Sequence, residues 1–127
     1  MTFLIVDDSR PARNLIKNYL NEIKTDHYYN FIEAESAAAA MTALQTNRID
    51  FILLDWNLSS KMTGLDILKE IRAMEKYKTT PVFMITSEGD KVHVIEALKY
   101  GANDFIVKPI DPKVFEPKVF KIIFPLK

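Results

Sequence analysis

The 127-residue chain has no cysteine, which excludes disulfides, thiolate catalysis and cysteine-based zinc sites. Its two histidines, His27 and His93, lack ligand-like spacing and are expected to be ordinary surface residues. Neither sign of charge is in excess, with 17 Lys plus Arg against 17 Asp plus Glu. Nucleic acid and anionic membrane surfaces are therefore not expected partners, and any acidic pocket must be a local concentration of charge. No run approaches the ~18 apolar residues that a membrane-spanning helix needs. Asp7-Asp8 interrupts the apolar N-terminal stretch and no basic region or cleavage site accompanies it, so no signal peptide is expected. These absences predict a cytoplasmic protein with no membrane insertion. Without repeats or low-complexity linkers, residues 1–127 read as one domain, and Met1 directly ahead of the first apolar run favours a standalone N-terminus.

What the chain does have is a series of short apolar runs, each ending in polar residues. Phe51-Ile52-Leu53-Leu54 runs straight into Asp55, and Thr2-Phe3-Leu4-Ile5-Val6 into Asp7-Asp8-Ser9. Continuous apolar runs of this length predict strands buried on both faces, the pattern of a parallel sheet. Pro81–Thr86 and Asp104–Val107 read likewise, while Tyr28–Glu33 is more polar and suits a sheet edge. Between them lie helical patterns. Ser9 or Asp8 caps the first, whose apolar stripe is Ala12, Leu15, Ile16, Tyr19, Leu20 and Ile23, with Arg13, Lys17 and Glu22 on the opposite face. Ser36 opens a second helix through an alanine run to Thr46, which needs only helix propensity to explain it. Gly64 precedes a third to about Met74, a fourth runs from Lys91 to Tyr100 with Gly101 in its C-cap region, and Asp111-Pro112 opens the last. Five strands alternating with five helices predict an α/β domain with a parallel sheet and helices on both faces.

In an open parallel sheet, ligands sit at the carboxyl ends of the strands. There the chain delivers Asp7, Asp8, Asp55, Thr86 and Lys108. Three carboxylates brought together repel one another unless a cation joins them. An all-oxygen donor set selects a hard ion, with Mg2+ the natural candidate. A metal, an ammonium and a hydroxyl around a carboxylate suit phosphoryl transfer, because they stabilise charge on the transferring group.

Val6-Asp7-Asp8-Ser9, Leu54-Asp55-Trp56-Asn57, Met84-Ile85-Thr86-Ser87-Glu88 and Val107-Lys108-Pro109 together resemble the signature of response-regulator receiver domains, in order and at close to the right spacing. The resemblance implies a flavodoxin-like (βα)5 three-layer sandwich with strand order 2-1-3-4-5. It implies that Asp55 is the phosphoacceptor, taking its phosphoryl group from a sensor histidine kinase. By the same resemblance Asp8, Asp55 and the Asn57 backbone carbonyl bind Mg2+, and Asp7 acts mainly through water. Lys108 pairs with the phosphoryl group, Thr86 bonds to it after transfer, and Phe105 occupies the switch-aromatic position. The output face is roughly Lys91–Ile123, for a flagellar switch protein or another effector, and a phosphatase is a further possible partner of a monomeric module.

Asn57 and Glu88 match the pair that tunes phosphoryl lifetime in chemotaxis-type members, and Trp56 points to the same branch. Departures are a loop between Asp55 and Gly64 one residue longer, without the usual proline; Phe105 in place of tyrosine; and Pro117, expected to kink the last helix. Alternatives are a phosphorelay or phosphate-sink receiver without a motor target, and a flavodoxin-like cofactor binder, against which Asp7-Asp8 would repel an FMN phosphate. A hydrolase with an aspartyl-phosphate intermediate would want an aspartate where Asn57 stands. The receiver reading makes the protein a phosphoacceptor that promotes its own modification, not an enzyme acting on a released substrate.

Overall fold

A computed structural model describes residues 1–26, 28–58, 61–87 and 91–124, and for Lys91 the backbone alone. The elements follow one another as β1 (Thr2–Val6), α1 (Arg10–Asn21), β2 (Asn30–Ala34), α2 (Ala37–Thr46), β3 (Phe51–Asp55), α3 (Gly64–Ala73), a 3-10 turn (Glu75–Tyr77), β4 (Val82–Thr86), α4 (Lys91–Lys99), β5 (Asp104–Val107) and α5 (Pro112–Ile123). All strand pairings are parallel, in the order β2-β1-β3-β4-β5. The polar strand β2 lies at an edge, as its composition requires.

Successive strand side chains point to opposite faces, and this alternation divides the core in two. Leu4, Val6, Ile52, Leu54, Val82 and Met84 pack with α2, α3 and α4. Phe3, Ile5, Phe51, Leu53, Phe83 and Ile85 pack with α1 and α5. On the second face Phe3, Phe51 and Phe83 form a row across three strands, with ring centroids 5.5 and 5.0 Å apart. Alanine supplies close approach as well as propensity, since Ala37, Ala40 and Ala43 form the buried face of α2 together with Leu44.

Capping residues set the helix starts. Ser9 accepts from the Ala12 amide, Ser36 from that of Ala39, and Thr63 forms a capping box with Asp66. The third helix therefore begins at Gly64 itself. Gly101, at φ 101°, follows α4.

Two expectations for helix faces are corrected. Leu15, assigned to the apolar stripe of α1, is exposed, whereas Arg13, assigned to the outer face, is buried at 7% exposure. The buried line of the helix is Arg13, Ile16 and Leu20, at i, i+3 and i+7, and Leu15 lies about 100° from Ile16 around the helix. Pro117, expected to kink the last helix, lies inside α5, which runs on to Ile123. The ring deprives the Lys113 carbonyl of its helical donor, and both residues are exposed to water.

Candidate functional site

Strand register builds the site. Val6 pairs with Leu54, so the next residues, Asp7 and Asp55, leave adjacent strands side by side. Thr86 pairs with Val107, which brings Lys108 just past the end of β5. The pleat then sorts the side chains. Asp7, Asp55 and Lys108 continue the residues that face α1 and α5, whereas Thr86 and Phe105 follow the opposite parity, and Phe105 packs against the core on the α4 side. The sequence thus brings Asp7, Asp8, Asp55 and Lys108 together, with Thr86 and Phe105 sharing the face behind them.

Asp7 is fully buried and Asp55 is 3% exposed. Lys108 Nζ lies 3.0 Å from Asp7 Oδ2 and 3.2 Å from Asp55 Oδ2, one ammonium shared by two carboxylates. The second Asp7 oxygen accepts from the Ser9 amide at 2.9 Å, and Asp55 Oδ1 from the Asn57 amide at 3.2 Å. Asp8, which is exposed, offers a third carboxylate, with one oxygen from each of Asp7, Asp8 and Asp55 lying within 4.8 Å of the others.

The electrostatics follow from burial and crowding. Burial, and then the neighbouring Asp7 charge, push the Asp55 carboxyl up to about 6, against the pull of Lys108. Burial alone would lower the Lys108 ammonium, but its two carboxylate partners outweigh it and raise it above the usual lysine value. One ammonium does not neutralise three acids. Oxygen donors this close, with a strained carboxyl among them, fit a small hard cation such as Mg2+.

The surroundings of this cluster include residues that sequence patterning missed. Buried Arg13 donates from Nη1 to the Asp7 carbonyl at 2.7 Å and from Nε to Glu33 Oε1 at 2.9 Å. Lys17 holds the other Glu33 oxygen at 2.9 Å, and the Lys17 bond is the main cause holding the Glu33 carboxyl below its usual value. The signal available was that Arg13 lies in helical line with Ile16 and Leu20. His93 is no isolated surface residue, because its ring stacks on Trp56 with centroids 4.3 Å apart. Asn57 Nδ2 reaches Ser87 Oγ at 3.4 Å. On the outer side Lys118 sits over the Phe105 ring, 4.7 Å from its centroid, and donates to the Phe105 carbonyl at 3.1 Å. A cleft of about 340 Å³ there is lined by Phe105, Val107, Lys108, Asp111, Val114 and Lys118. Glu88, His27 and part of the lengthened loop, residues 59 and 60, lie outside the described residues. Among the described residues, no helix is long and apolar enough to cross a membrane.

Comparison with known proteins agrees with this architecture. The family model of the response regulator receiver domain matches residues 3–119. The chain is 42% identical over 120 residues to the chemotaxis protein CheY1 of Helicobacter pylori (strain J99), covering 94% of each protein. Among solved structures, that of Vibrio cholerae chemotaxis protein CheY4 matches with a TM-score of 0.83 at 29% identity, covering 95% of this chain and 97% of that one. The Mn2+-bound form of the response regulator Rcp1 matches with a TM-score of 0.78 at 27% identity, covering 96% and 91%. The fold is the flavodoxin-like receiver fold with strand order 2-1-3-4-5. Family model, relatives and topology coincide along nearly the whole chain, which belongs to the response regulator receiver family and is a homologue of the CheY chemotaxis regulators.

Proposed function

We propose that the protein is a phosphorylation-switched signalling module in which Asp55 accepts the phosphoryl group. One observation carries this reading: buried Asp55 stands within reach of two further carboxylates and a lysine, with its carboxyl destabilised at neutral pH. An Asp55 oxygen attacks the phosphorus of a kinase phosphohistidine, or of a small acyl phosphate. The new P–O bond forms an acyl phosphate as the old P–N or P–O bond breaks, its electron pair leaving with the imidazole or carboxylate.

Asp8, Asp55 and the Asn57 backbone carbonyl would hold Mg2+ directly, and Asp7 chiefly through water. When bound, the ion would neutralise the acids and the oxygens of the incoming group. That the receiver Rcp1 was crystallised with Mn2+ supports a divalent-ion site. Lys108, held by the same two carboxylates, supplies a positive charge for the transferred group, and burial in a partly dry site strengthens that attraction. Thr86 would bond to the phosphoryl group after transfer, and Phe105, on the same face of the sheet, would follow it inward. Asn57 and Glu88 would govern the lifetime of the acyl phosphate by flanking the attacking water.

The donor is then a sensor histidine kinase, and the readout an effector on the face from residue 91 to 123, where the cleft beside Lys108 and Phe105 opens. Similarity to chemotaxis proteins favours a flagellar switch protein there. The same reading makes the protein a cytoplasmic monomer that promotes its own phosphorylation and dephosphorylation, with a phosphatase as a further partner. Incubation with Mg2+ and acetyl phosphate should add one phosphoryl group to the intact mass. An Asp55→Asn protein that still accepted it would refute the assignment.

A further inference from the structure

The guanidinium of Arg13 bonds a main-chain carbonyl inside the acidic centre, and it is too buried to be a solvated surface charge. A buried cation is retained only where its donors are matched. Those described are Nη1 to the Asp7 carbonyl and Nε to Glu33, which Lys17 holds from its other side. The Asp7 carbonyl belongs to the peptide that joins Asp7 to Asp8, so its direction sets where the Asp8 side chain leaves the turn. On the other side of Asp7, its own amide donates to the Ala34 carbonyl at 3.0 Å, and its carboxylate receives the Ser9 amide. Lys108 holds the other oxygen of that carboxylate, so the turn that carries two of the three carboxylates is fastened from several sides, and the Arg13 bond acts directly on the carbonyl of the Asp7–Asp8 peptide.

We infer that Arg13 is a positioning residue for the divalent-cation site, oriented in turn by Glu33, and that it acts by holding the Asp7–Asp8 peptide. The inference rests on the proposed Mg2+ site. Two effects of losing Arg13 oppose each other. Removing a positive charge beside the acids would tighten cation binding, while releasing the peptide would scatter Asp8 and weaken it. Groups that orient metal ligands without touching the metal commonly contribute 10- to 100-fold in affinity. Arg13 is fork-shaped and spans two acceptors at once, so positioning should outweigh the charge.

The test is Mg2+ titration of the full chain, followed by calorimetry and by emission of the single tryptophan, Trp56, with thermal melts of the metal-free proteins alongside. Arg13→Met should weaken Mg2+ binding by about tenfold or more, and Arg13→Lys should recover part of the loss, since one ammonium can serve one acceptor but not both. Glu33→Leu should weaken it by about threefold, and the double variant should be no weaker than Arg13→Met alone, as expected if Glu33 works through Arg13. Mg2+ affinity equal to or tighter than wild type in Arg13→Met would overturn the inference. If that variant fails to fold, Glu33→Leu, altered on the sheet edge, decides: unchanged affinity overturns it. Wild-type protein that binds no Mg2+ would instead refute the underlying metal site.

Discussion

Lys108 reaches Asp55 from two strands away, its Nζ 3.2 Å from Oδ2 across the end of β4. The same nitrogen holds fully buried Asp7, so this one side chain ties β1, β3 and β5 together at the edge of the sheet where the acids collect. Lys108→Met should therefore cost stability as well as phosphoryl transfer. Removing one partner of a buried ion pair typically costs ~3–5 kcal/mol. Because the lysine side chain is 28% exposed, and so partly screened, about 2–3 kcal/mol is expected in urea unfolding without metal. Millimolar Mg2+ should restore part of it. A midpoint unchanged in the absence of metal would show that the acids do not depend on the ammonium.

The Asp55 carboxyl makes a second, opposite prediction. Its value rises from 3.8 unfolded to about 6 folded, so between those limits the folded protein binds more protons than the unfolded chain. Stability contributed by this group accordingly falls as pH rises through 3.8 to 6, and the full cost stands above about 6. At ~1.4 kcal/mol per pH unit, that cost approaches 3 kcal/mol. Asp55→Asn should stabilise the metal-free protein at pH 7.5 by about 1–3 kcal/mol, a gain that shrinks below pH 6 and vanishes near pH 4. A variant less stable than wild type at pH 7.5 would count against a strained carboxylate.

Metal binding at the proposed site would inherit the same titration. A cation needs Asp55 ionised, so below about pH 6 it must displace a proton. Mg2+ affinity should be flat between pH 7 and 8 and weaken towards tenfold per unit as pH falls from 6 to 5. Titrations of Trp56 emission at fixed ionic strength would show this. A flat profile from pH 5 to 8 would mean that Asp55 does not gate the ion.

The fold was legible because apolar runs of five and helical stripes differ in period, and because polar residues close each run at the same sheet edge. Asp7, Asp8, Asp55, Thr86 and Lys108 could be read in this way, since strand ends in a parallel sheet share one edge whatever the details of packing. Arg13 could not, because charge is a poor guide to burial when the partners are a main-chain carbonyl and a glutamate on an edge strand. The stacking of His93 on Trp56 was equally hidden, since it depends on how α4 lies against the sheet and not on any local pattern. The sequence pattern marks Gly64 only as a residue ahead of a helix, and its contacts give it a more specific role.

A Cβ on Gly64 would stand 2.8 Å from Trp56 Cα and 3.0 Å from the Asp55 carbonyl carbon, and both are backbone atoms that cannot swing aside. The Gly64 amide donates to the Trp56 carbonyl at 2.8 Å, so the start of α3 is pressed against the chain that carries Asp55. Here glycine serves space and not conformation, for among the described residues only Gly101 has a positive φ. Alanine would gain ~1 kcal/mol of helix preference but meet an overpacking cost of ~1–3 kcal/mol or more. Gly64→Ala should therefore be destabilised by about 1–2 kcal/mol and, by displacing Asp55, should bind Mg2+ more weakly and accept phosphoryl groups more slowly. Gly101→Ala is the matched control. Its cost comes from a left-handed φ of 101° and a close approach to the Arg72 side chain at 3.0 Å, at the opposite edge of the sheet. That variant should lose stability while keeping its Mg2+ affinity. Equal affinity in both variants would mean that Gly64 is needed only for folding, and a loss confined to Gly64→Ala would tie the α3 start to the geometry of Asp55.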